Sequence, residues 1–211
     1  MSKKTLLLAI LLLSAPWIAD ADAVSYQVKV NTSSLTGQVG SLEFQFNPGP
    51  FLTQDADLQI LNFSSDGTLD PLALGTQTIG DVSGTLPGTL TFNNGSFFND
   101  YFENFTYGST LTFVASFYGP ALTSPDGISG SGSSFAFGMF SDPDGTIPAL
   151  TTDTLNGFAV TTDVNLDGTT STDIFSSQTS VSAVPEPSCL LLTGLGILGL
   201  FAMSRCRLKT C

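Results

Sequence analysis

The stretch Leu42-Glu43-Phe44-Gln45-Phe46 decides the fold, because large apolar residues alternate strictly with polar ones. A period of two residues is typical of a β-strand that buries one face and leaves the other in water. The same alternation recurs along the chain at Tyr26/Val28/Val30, Ala56/Leu58/Ile60, Leu111/Phe113/Ala115/Phe117 and Phe135/Phe137/Met139. Phe158 and Val160 begin another predicted strand, and residues 174–184 hold one or two more. Enrichment in Thr, Phe and Val favours strands as well.

Pairs of Asp or Asn with Gly separate these stretches. Such pairs tolerate positive φ and are typical of tight turns between antiparallel strands. They are Asp66-Gly67, Asn94-Gly95, Asp126-Gly127, Asp144-Gly145, Asn156-Gly157 and Asp167-Gly168. Short strands at this spacing predict an all-β fold, an antiparallel β-sandwich of jelly-roll-like form.

One segment fits more than one structure. In residues 97–105, Phe98, Tyr101, Phe102 and Phe105 follow a helical spacing of i, i+3, i+4 and i+7. The segment is therefore either a short helix or turn that caps an open end of the sandwich, or a twisted aromatic strand.

The C-terminus has three unlike parts in a fixed order. Val184-Pro185-Glu186-Pro187-Ser188 comes first, and its two prolines hold the backbone extended and remove two hydrogen-bond donors. The uncharged run Cys189 to Met203 follows, and its 15 residues span roughly 22 Å as a helix, against about 30 Å of hydrocarbon. Basic residues end the chain, at Arg205, Arg207 and Lys209, which favours a cytoplasmic C-terminus. We predict a transmembrane helix that is short for a permanent anchor.

This order of parts resembles the PEP-CTERM sorting domain of bacterial exported proteins. The resemblance implies that an exosortase, a membrane-embedded enzyme, cuts the chain near Pro185-Glu186-Pro187. The body is similar to a PEP-CTERM subfamily whose exported part is a single all-β domain without known activity. The segments that carry this second resemblance are Tyr26 to Pro50, Gly80 to Gly84, Ser133 to Phe137 and Val164 to Gly168.

The N-terminus has the features of a secretory signal peptide. Lys3 and Lys4 precede an apolar stretch, and Ala21 and Ala23 form a small-x-small cleavage site. We therefore expect a signal peptide and its helix over residues 1–23, an exported domain over 24–183 and a sorting segment over 184–211. A membrane-anchored precursor would then become a cell-surface or extracellular-matrix protein.

Composition excludes several functions for the exported domain. The formal net charge of the chain is −12, and the only basic residue of the domain is Lys29. Nucleic acid is thereby excluded as a partner, because no basic patch exists to neutralise phosphates. All three cysteines lie in the sorting segment, and the chain has no histidine. Disulfides, thiol catalysis and histidine-dependent catalysis are therefore absent from the domain.

Residues 163–173 are the best candidate for a metal site. Asp163, Asn165 and Asp167, followed by Gly168, repeat the opening of a calcium-binding loop, with Asp173 as a further ligand. Ile174 stands where such a loop needs its last acidic ligand, so a plain β-hairpin turn is the competing interpretation. Calcium is the only cofactor that the sequence suggests. A second acidic turn, Ser141 to Gly145, is a weaker candidate.

Two further interpretations concern carboxylates and aromatic residues. A glycoside hydrolase needs two facing carboxyls, but Glu43 and Glu103 are the only glutamates of the domain, and Glu43 is expected to be solvated on its strand. Carbohydrate could stack on exposed aromatic rings. The candidate rings are Tyr101, Tyr107, Tyr118, Phe97 and Phe98.

The sequence therefore predicts an exported protein with a structural or adhesive role, which is a substrate of its sorting enzyme and not itself an enzyme. The expected partners are the exosortase, the membrane for a time, and extracellular polysaccharide. The alternatives are a calcium-dependent or carbohydrate-binding module and, less favoured, a carboxylate-based glycoside hydrolase.

Overall fold

A computed structural model describes residues 23–70 and 77–184. The predicted signal peptide lies outside the described residues, apart from Ala23, as does the sorting segment after Val184. Within the described part of the chain, no helix is both long and apolar enough to cross a membrane. The helical segments there are one 3₁₀ turn, Ser33–Leu35, and one short helix, α1, Pro120–Thr123.

Two antiparallel sheets form the domain, consistent with the predicted β-sandwich. The first sheet has the strand order β13-β1-β9-β3-β7-β6. Its strands are β1 (Val24–Asn31), β3 (Asp57–Ser65), β6 (Val82–Ser83), β7 (Leu90–Asn93), β9 (Thr110–Tyr118) and β13 (Thr179–Ala183).

The second sheet has the order β12-β11-β10-β2-β8-β4, and β5 (Gln77–Ile79) also pairs with β8. Its other strands are β2 (Val39–Pro48), β4 (Thr68–Leu69), β8 (Asp100–Thr106), β10 (Ser133–Phe140), β11 (Phe158–Val164) and β12 (Thr170–Ile174).

The alternation in the sequence is the alternation of buried and outward faces. Leu42, Phe44 and Phe46 of β2 are fully buried, and so are Leu111, Phe113 and Phe117 of β9. The strand predictions for these segments are therefore confirmed. Burial of such large side chains supplies most of the driving force for packing one sheet on the other.

Three phenylalanine rings join the two sheets at the centre of the core. Phe113 of the first sheet lies 5.2 Å from Phe44 and 4.9 Å from Phe137 of the second, between ring centroids. Phe44 and Phe137 are register partners on neighbouring strands and lie 4.9 Å apart. Edge-to-face and tilted contacts at these separations stabilise aromatic pairs beyond the area that they bury.

The segment 97–105 is a strand and not a helix over most of its length. β8 begins at Asp100 and ends at Thr106, and it pairs with β2. Tyr101 and Phe105 point into the core, whereas Phe102 lies on the outer face opposite Glu43. The aromatic residues mimic a helical spacing because Phe102, which faces outward, lies between Tyr101 and Phe105, which face the core.

Some of the predicted turns join strands of different sheets and do not close a hairpin. Asp167-Gly168 joins the paired strands β11 and β12, as expected. Asn94-Gly95 instead lies on the connection from β7 in the first sheet to β8 in the second. Asp66-Gly67 likewise leads from β3 in the first sheet to β4 in the second. A tight turn reverses the chain in either case, but the sequence does not say which strand the chain then pairs with.

The two ends of the described domain lie side by side. β1 begins at Val24 and β13 ends at Ala183, and Tyr26 is the register partner of Ala183. The Val184 amide then donates a hydrogen bond to the Ser25 carbonyl at 2.8 Å. The chain therefore leaves the domain beside the point where it enters it.

Candidate functional site

The candidate site is built on the outer face of β2. Glu43, Gln45 and Asn47 project from this face because they are spaced two residues apart. The Gln45 side-chain amide donates to Glu43 Oε1 at 2.8 Å, and the Asn47 amide donates to Gln45 Oε1 at 3.2 Å. Together they form a chain of side-chain hydrogen bonds that ends at the Glu43 carboxyl.

A second carboxyl reaches the same point from β8. Asp100 is the register partner of Gln45, which places it diagonally across from Glu43. Its side chain is hydrogen-bonded to the Glu43 carboxyl, and only 6% of Asp100 is exposed. We call Glu43 and Asp100 the acid pair. The one basic residue of the described domain, Lys29, lies in β1 of the other sheet and offers the pair no countercharge.

Both carboxyls are held closer to their neutral form than usual. Burial raises the pKa of Glu43, against the hydrogen bonds it accepts from Gln45 and shares with Asp100. Burial, with the adjacent negative charge of Glu43, raises the pKa of Asp100 to about 8. Two carboxylates in contact repel each other, so the pair retains one proton at neutral pH.

Aromatic side chains and the connection between β10 and β11 surround the acid pair. Gly138 of β10 is the register partner of Glu43, and a β-carbon there would lie 3.4 Å from Glu43 Oε2. Phe102 and Phe140 lie on the same face. Residues 141–157 pass over both rings, because Gly145 is packed against Phe102 and Gly157 against Phe140. These contacts explain why carboxyls on an outward face are so poorly hydrated.

Glu43 is half-buried and not fully solvated as expected. Its strand position is as predicted, but Asp100 and the covered face around it remove part of its contact with water. No sequence pattern indicates Asp100, because its contact with Glu43 depends on the register between β2 and β8. The one feature of the sequence that sets Asp100 apart is that it is an acidic residue within an aromatic stretch.

Glu103 lies on the opposite face of the second sheet. It is the register partner of Leu42, points into the core and is 2% exposed. The Tyr101 hydroxyl donates to Glu103 Oε2 at 2.6 Å, and the same hydroxyl accepts the Leu86 amide at 3.0 Å. The two glutamates therefore do not face each other.

The acid pair also differs from the carboxyls of a glycoside hydrolase. Those lie about 5 to 9.5 Å apart, which leaves room for the sugar or a water molecule between them. Glu43 and Asp100 are hydrogen-bonded to each other. The arrangement suits storage of one proton between two acids better than attack on a glycosidic bond.

The four predicted metal ligands are dispersed along the β11–β12 hairpin. Asp163 accepts the Ser134 hydroxyl at 2.6 Å, and Asn165 donates to Thr169 Oγ1 at 3.1 Å. Asp167 accepts the amide and the hydroxyl of Thr169 at 3.0 and 2.6 Å. Asp173 lies in β12 opposite Thr161. Across residues 23–70 and 77–184 no three Asp, Glu, His or Cys side chains are grouped as metal ligands.

The second acidic turn is closed by its own carboxylate. Asp142 accepts the amides of Thr146 and Ile147 at 3.0 and 2.7 Å and the Thr146 hydroxyl at 2.7 Å. These bonds account for the turn as a structural element.

The aromatic candidates for carbohydrate stacking differ in exposure, and Tyr118 is half-buried at the end of β9. Tyr101 and Tyr107 are buried and hydrogen-bonded in the interior, so the expectation that they are available for stacking is wrong. Phe97 and Phe98 are exposed, at 82% and 41%.

The C-terminal part of the chain matches a known family. Residues 183–207 match the PEP-CTERM protein-sorting motif. The chain carries a PEP-CTERM sorting motif. The match begins at Ala183, the last residue of β13, so the motif follows the sandwich without a spacer. No curated protein and no solved structure match the chain.

The PEP-CTERM motif concerns the destination and the processing of the protein. It implies an exported, surface-directed protein, and it implies an exosortase as the processing partner. The resemblance predicted from Val184 to Ser188 and the residues after them is thereby confirmed.

Proposed function

We propose that the exported domain is a structural or adhesive component of the cell envelope or the extracellular matrix. The observation that carries the proposal is the position of the sorting motif. It starts where β13 ends, beside the first strand of the domain. Exosortase cleavage near Pro185-Glu186-Pro187 would therefore free a complete sandwich.

The construction of the sandwich supports a passive role outside the cell. Its core is packed with aromatic rings and contains no cysteine, so its stability does not depend on redox conditions. Its surface is acidic, which keeps such a domain soluble and separate from anionic polymers. Neutral polysaccharide is the matrix component that such a surface tolerates best.

Mass spectrometry of the native protein tests this proposal. The expected mature chain begins near Val24 and ends near Pro185-Glu186-Pro187, and it is found in the envelope or matrix fraction. Replacing Pro185, Glu186 and Pro187 by alanine should leave the precursor uncut in the membrane fraction. Ser182→Ala is the matched control, because Ser182 is exposed in β13 and precedes the motif. A native chain that extends intact through Cys211 would contradict the proposal.

A further inference from the structure

Six of the twelve exposed large apolar side chains in the described part of the chain lie in the loops at one end of the domain. Strands β2 and β10 meet there at Pro48 and Ser133, and β3 and β9 meet there at Asp57 and Tyr118. We call this end, with its loops 49–56, 95–99, 119–132 and 165–169, the exit end. Its exposed apolar side chains are Phe51, Leu52, Phe97, Phe98, Ile128 and Leu166.

Hydrogen bonds between two loops hold Phe51 and Ile128 in exposed positions. Phe51 is 71% and Ile128 76% exposed. The Leu52 carbonyl accepts the Gly130 amide at 2.8 Å, and Ser131 Oγ accepts the Phe51 amide at 3.1 Å. The two loops are thus hydrogen-bonded to each other, and they present their apolar side chains on a fixed backbone.

A buried asparagine attaches this pair of loops to the sandwich. Asn94 donates to the Gln54 carbonyl and to Ser133 Oγ, each at 2.8 Å, and accepts the Ala56 amide at 3.0 Å. The loops that carry these apolar side chains are thus held in place by hydrogen bonds. Single exposed apolar residues are normal, but grouped ones mark contact surfaces, so this group indicates a partner.

The chain leaves the domain at the same end. Val24 of β1 is the register partner of Phe117, which lies one residue before the end of β9. The Val184 amide is hydrogen-bonded to the Ser25 carbonyl beside it. Strand β13 lies three positions from β3 in the first sheet. At about 4.8 Å between strands, that is roughly 14 Å from the exit point to the start of β3.

The short length of chain after Val184 favours the lipid surface as the partner. The apolar run begins at Cys189, five residues later. Five extended residues reach at most roughly 17 Å, so an inserted run would hold the exit end next to the lipid surface.

We propose that in the precursor the exit end rests on the bilayer, with Phe51, Leu52 and Ile128 in contact with lipid. The inference depends on the proposed function, since it requires the sorting segment to be inserted. Docking would hold Pro185-Glu186-Pro187 at the membrane surface, where a membrane-embedded enzyme can reach it.

The charge of the domain determines how strong this contact is. Asp55, Asp126 and Asp167 lie in the exit-end loops, and the only basic residue of the domain, Lys29, is not among them. Interfacial binding depends on buried apolar area together with attraction to anionic lipid, and here the charge opposes binding. The tether therefore supplies the effective concentration that keeps the end docked. Once the tether is cut, the domain detaches.

Tryptophan fluorescence of the full precursor in phosphatidylcholine vesicles tests the docking. Trp17 is the only tryptophan of the chain, so Trp17→Phe gives a silent background. Phe51→Trp then reports on the exit end. Ile147→Trp is the matched control, because Ile147 is 56% exposed and lies beyond the opposite end of β10. Both substitutions are at exposed positions, so folding is expected to be unaffected.

Docking predicts that brominated phosphatidylcholine quenches the Phe51→Trp variant at least about twofold and leaves the Ile147→Trp variant unquenched. Adding phosphatidylglycerol should reduce the quenching of the Phe51→Trp variant, and salt at high concentration should restore it, because salt screens the repulsion.

Four other results would count against the docking. Equal quenching of the two variants would overturn the docking but not the membrane tether. The same conclusion would follow if the Phe51→Trp precursor floats with the vesicles while its indole remains exposed to water. A blue-shifted emission of the Phe51→Trp variant without bromine quenching would assign the surface to another protein or a second copy. A precursor that fails to float would overturn the membrane tether and the docking with it.

Discussion

The carboxyl groups of Glu43 and Asp100 are hydrogen-bonded to each other on the outer face of the second sheet. They come from neighbouring strands, and no lysine or arginine of the described domain lies on their sheet. Holding two acids together without a cation is favourable only while one of them keeps its proton. The acid pair therefore makes the stability of the domain depend on pH in the direction opposite to that of an ordinary salt-bridged acid.

Stability should fall between about pH 4 and pH 8 through the acid pair. The pKa of Asp100 is raised to about 8, so the folded state binds more protons than the unfolded state in this range. Unfolding then becomes easier as pH rises, until both states have lost the proton. Thermal unfolding followed by circular dichroism from pH 4 to pH 9 measures this slope.

Asp100→Asn removes the need for the proton and should raise the Tm at pH 8 by a few degrees, while having little effect at pH 4. A stability difference of about 1 kcal/mol corresponds to roughly 2–4 °C for a domain of this size. Asp173→Asn is the matched control, since Asp173 is an exposed acid in β12 of the same sheet. A lower Tm for Asp100→Asn at pH 8 would contradict the repulsion between the two carboxyls.

The aromatic centre of the core should be the most sensitive part of the domain to truncation. Phe113 is fully buried and contacts Phe44 and Phe137 across the two sheets. Replacing a buried Phe by Ala destabilises by about 3–5 kcal/mol, which predicts a decrease in Tm of roughly 10 °C for Phe113→Ala. Calorimetry measures the change.

Phe97→Ala provides the comparison, because Phe97 is 82% exposed and an exposed substitution changes stability by about 0.5 kcal/mol or less. Equal effects of the two substitutions would show that Phe113 does not hold the sheets together.

The sequence predicted the long strands well because each carries its own burial pattern. Five alternating residues such as Leu42 to Phe46 can bury one face only as a strand, whatever the rest of the chain does. The two-residue strands β4 and β6 carry no such pattern. They exist because a neighbouring strand offers hydrogen bonds, and so the sequence did not indicate them.

The candidate site was not predictable for a related reason. The alternation identifies Glu43 as outward-facing, but its partner Asp100 lies 57 positions later on a strand whose aromatic residues also fit a helix. Which residue lies beside Glu43 depends on the register of β2 against β8. A one-residue slip would place Tyr101 on that face instead, and no local sequence pattern fixes the register.

Asp66 should stabilise the domain above about pH 4. Its carboxylate accepts the Ser109 amide at 2.8 Å, the Thr110 amide at 2.9 Å and the Ser109 hydroxyl at 2.6 Å. The Ser109 hydroxyl, followed by the Ser109 and Thr110 amides, lowers the pKa of Asp66 to about 2. The stabilisation is present above the ordinary pKa and is lost as pH falls towards 2. Asp66→Asn should therefore lower the Tm at pH 6 and have little effect at pH 2.

Asp173→Asn is again the control, because in that variant Asp66 keeps all three donors. An Asp66→Asn variant whose deficit in Tm is the same at pH 2 as at pH 6 would show that the amide and hydroxyl contacts, and not the charge, account for the loss.

The β11–β12 hairpin should behave as a turn and not as a calcium site. Asp167 is already bonded to Thr169, whereas Asp163 is bonded to Ser134 in the neighbouring strand. A calcium ion needs about six to eight oxygen ligands directed at one point. Adding millimolar calcium to the apo protein should therefore leave the Tm unchanged. An ion present at about a hundred times its Kd would instead add about 2.7 kcal/mol, or roughly 5–10 °C. A shift of that size, abolished by Asp167→Asn and kept by Asp142→Asn, would show that calcium draws these oxygens together.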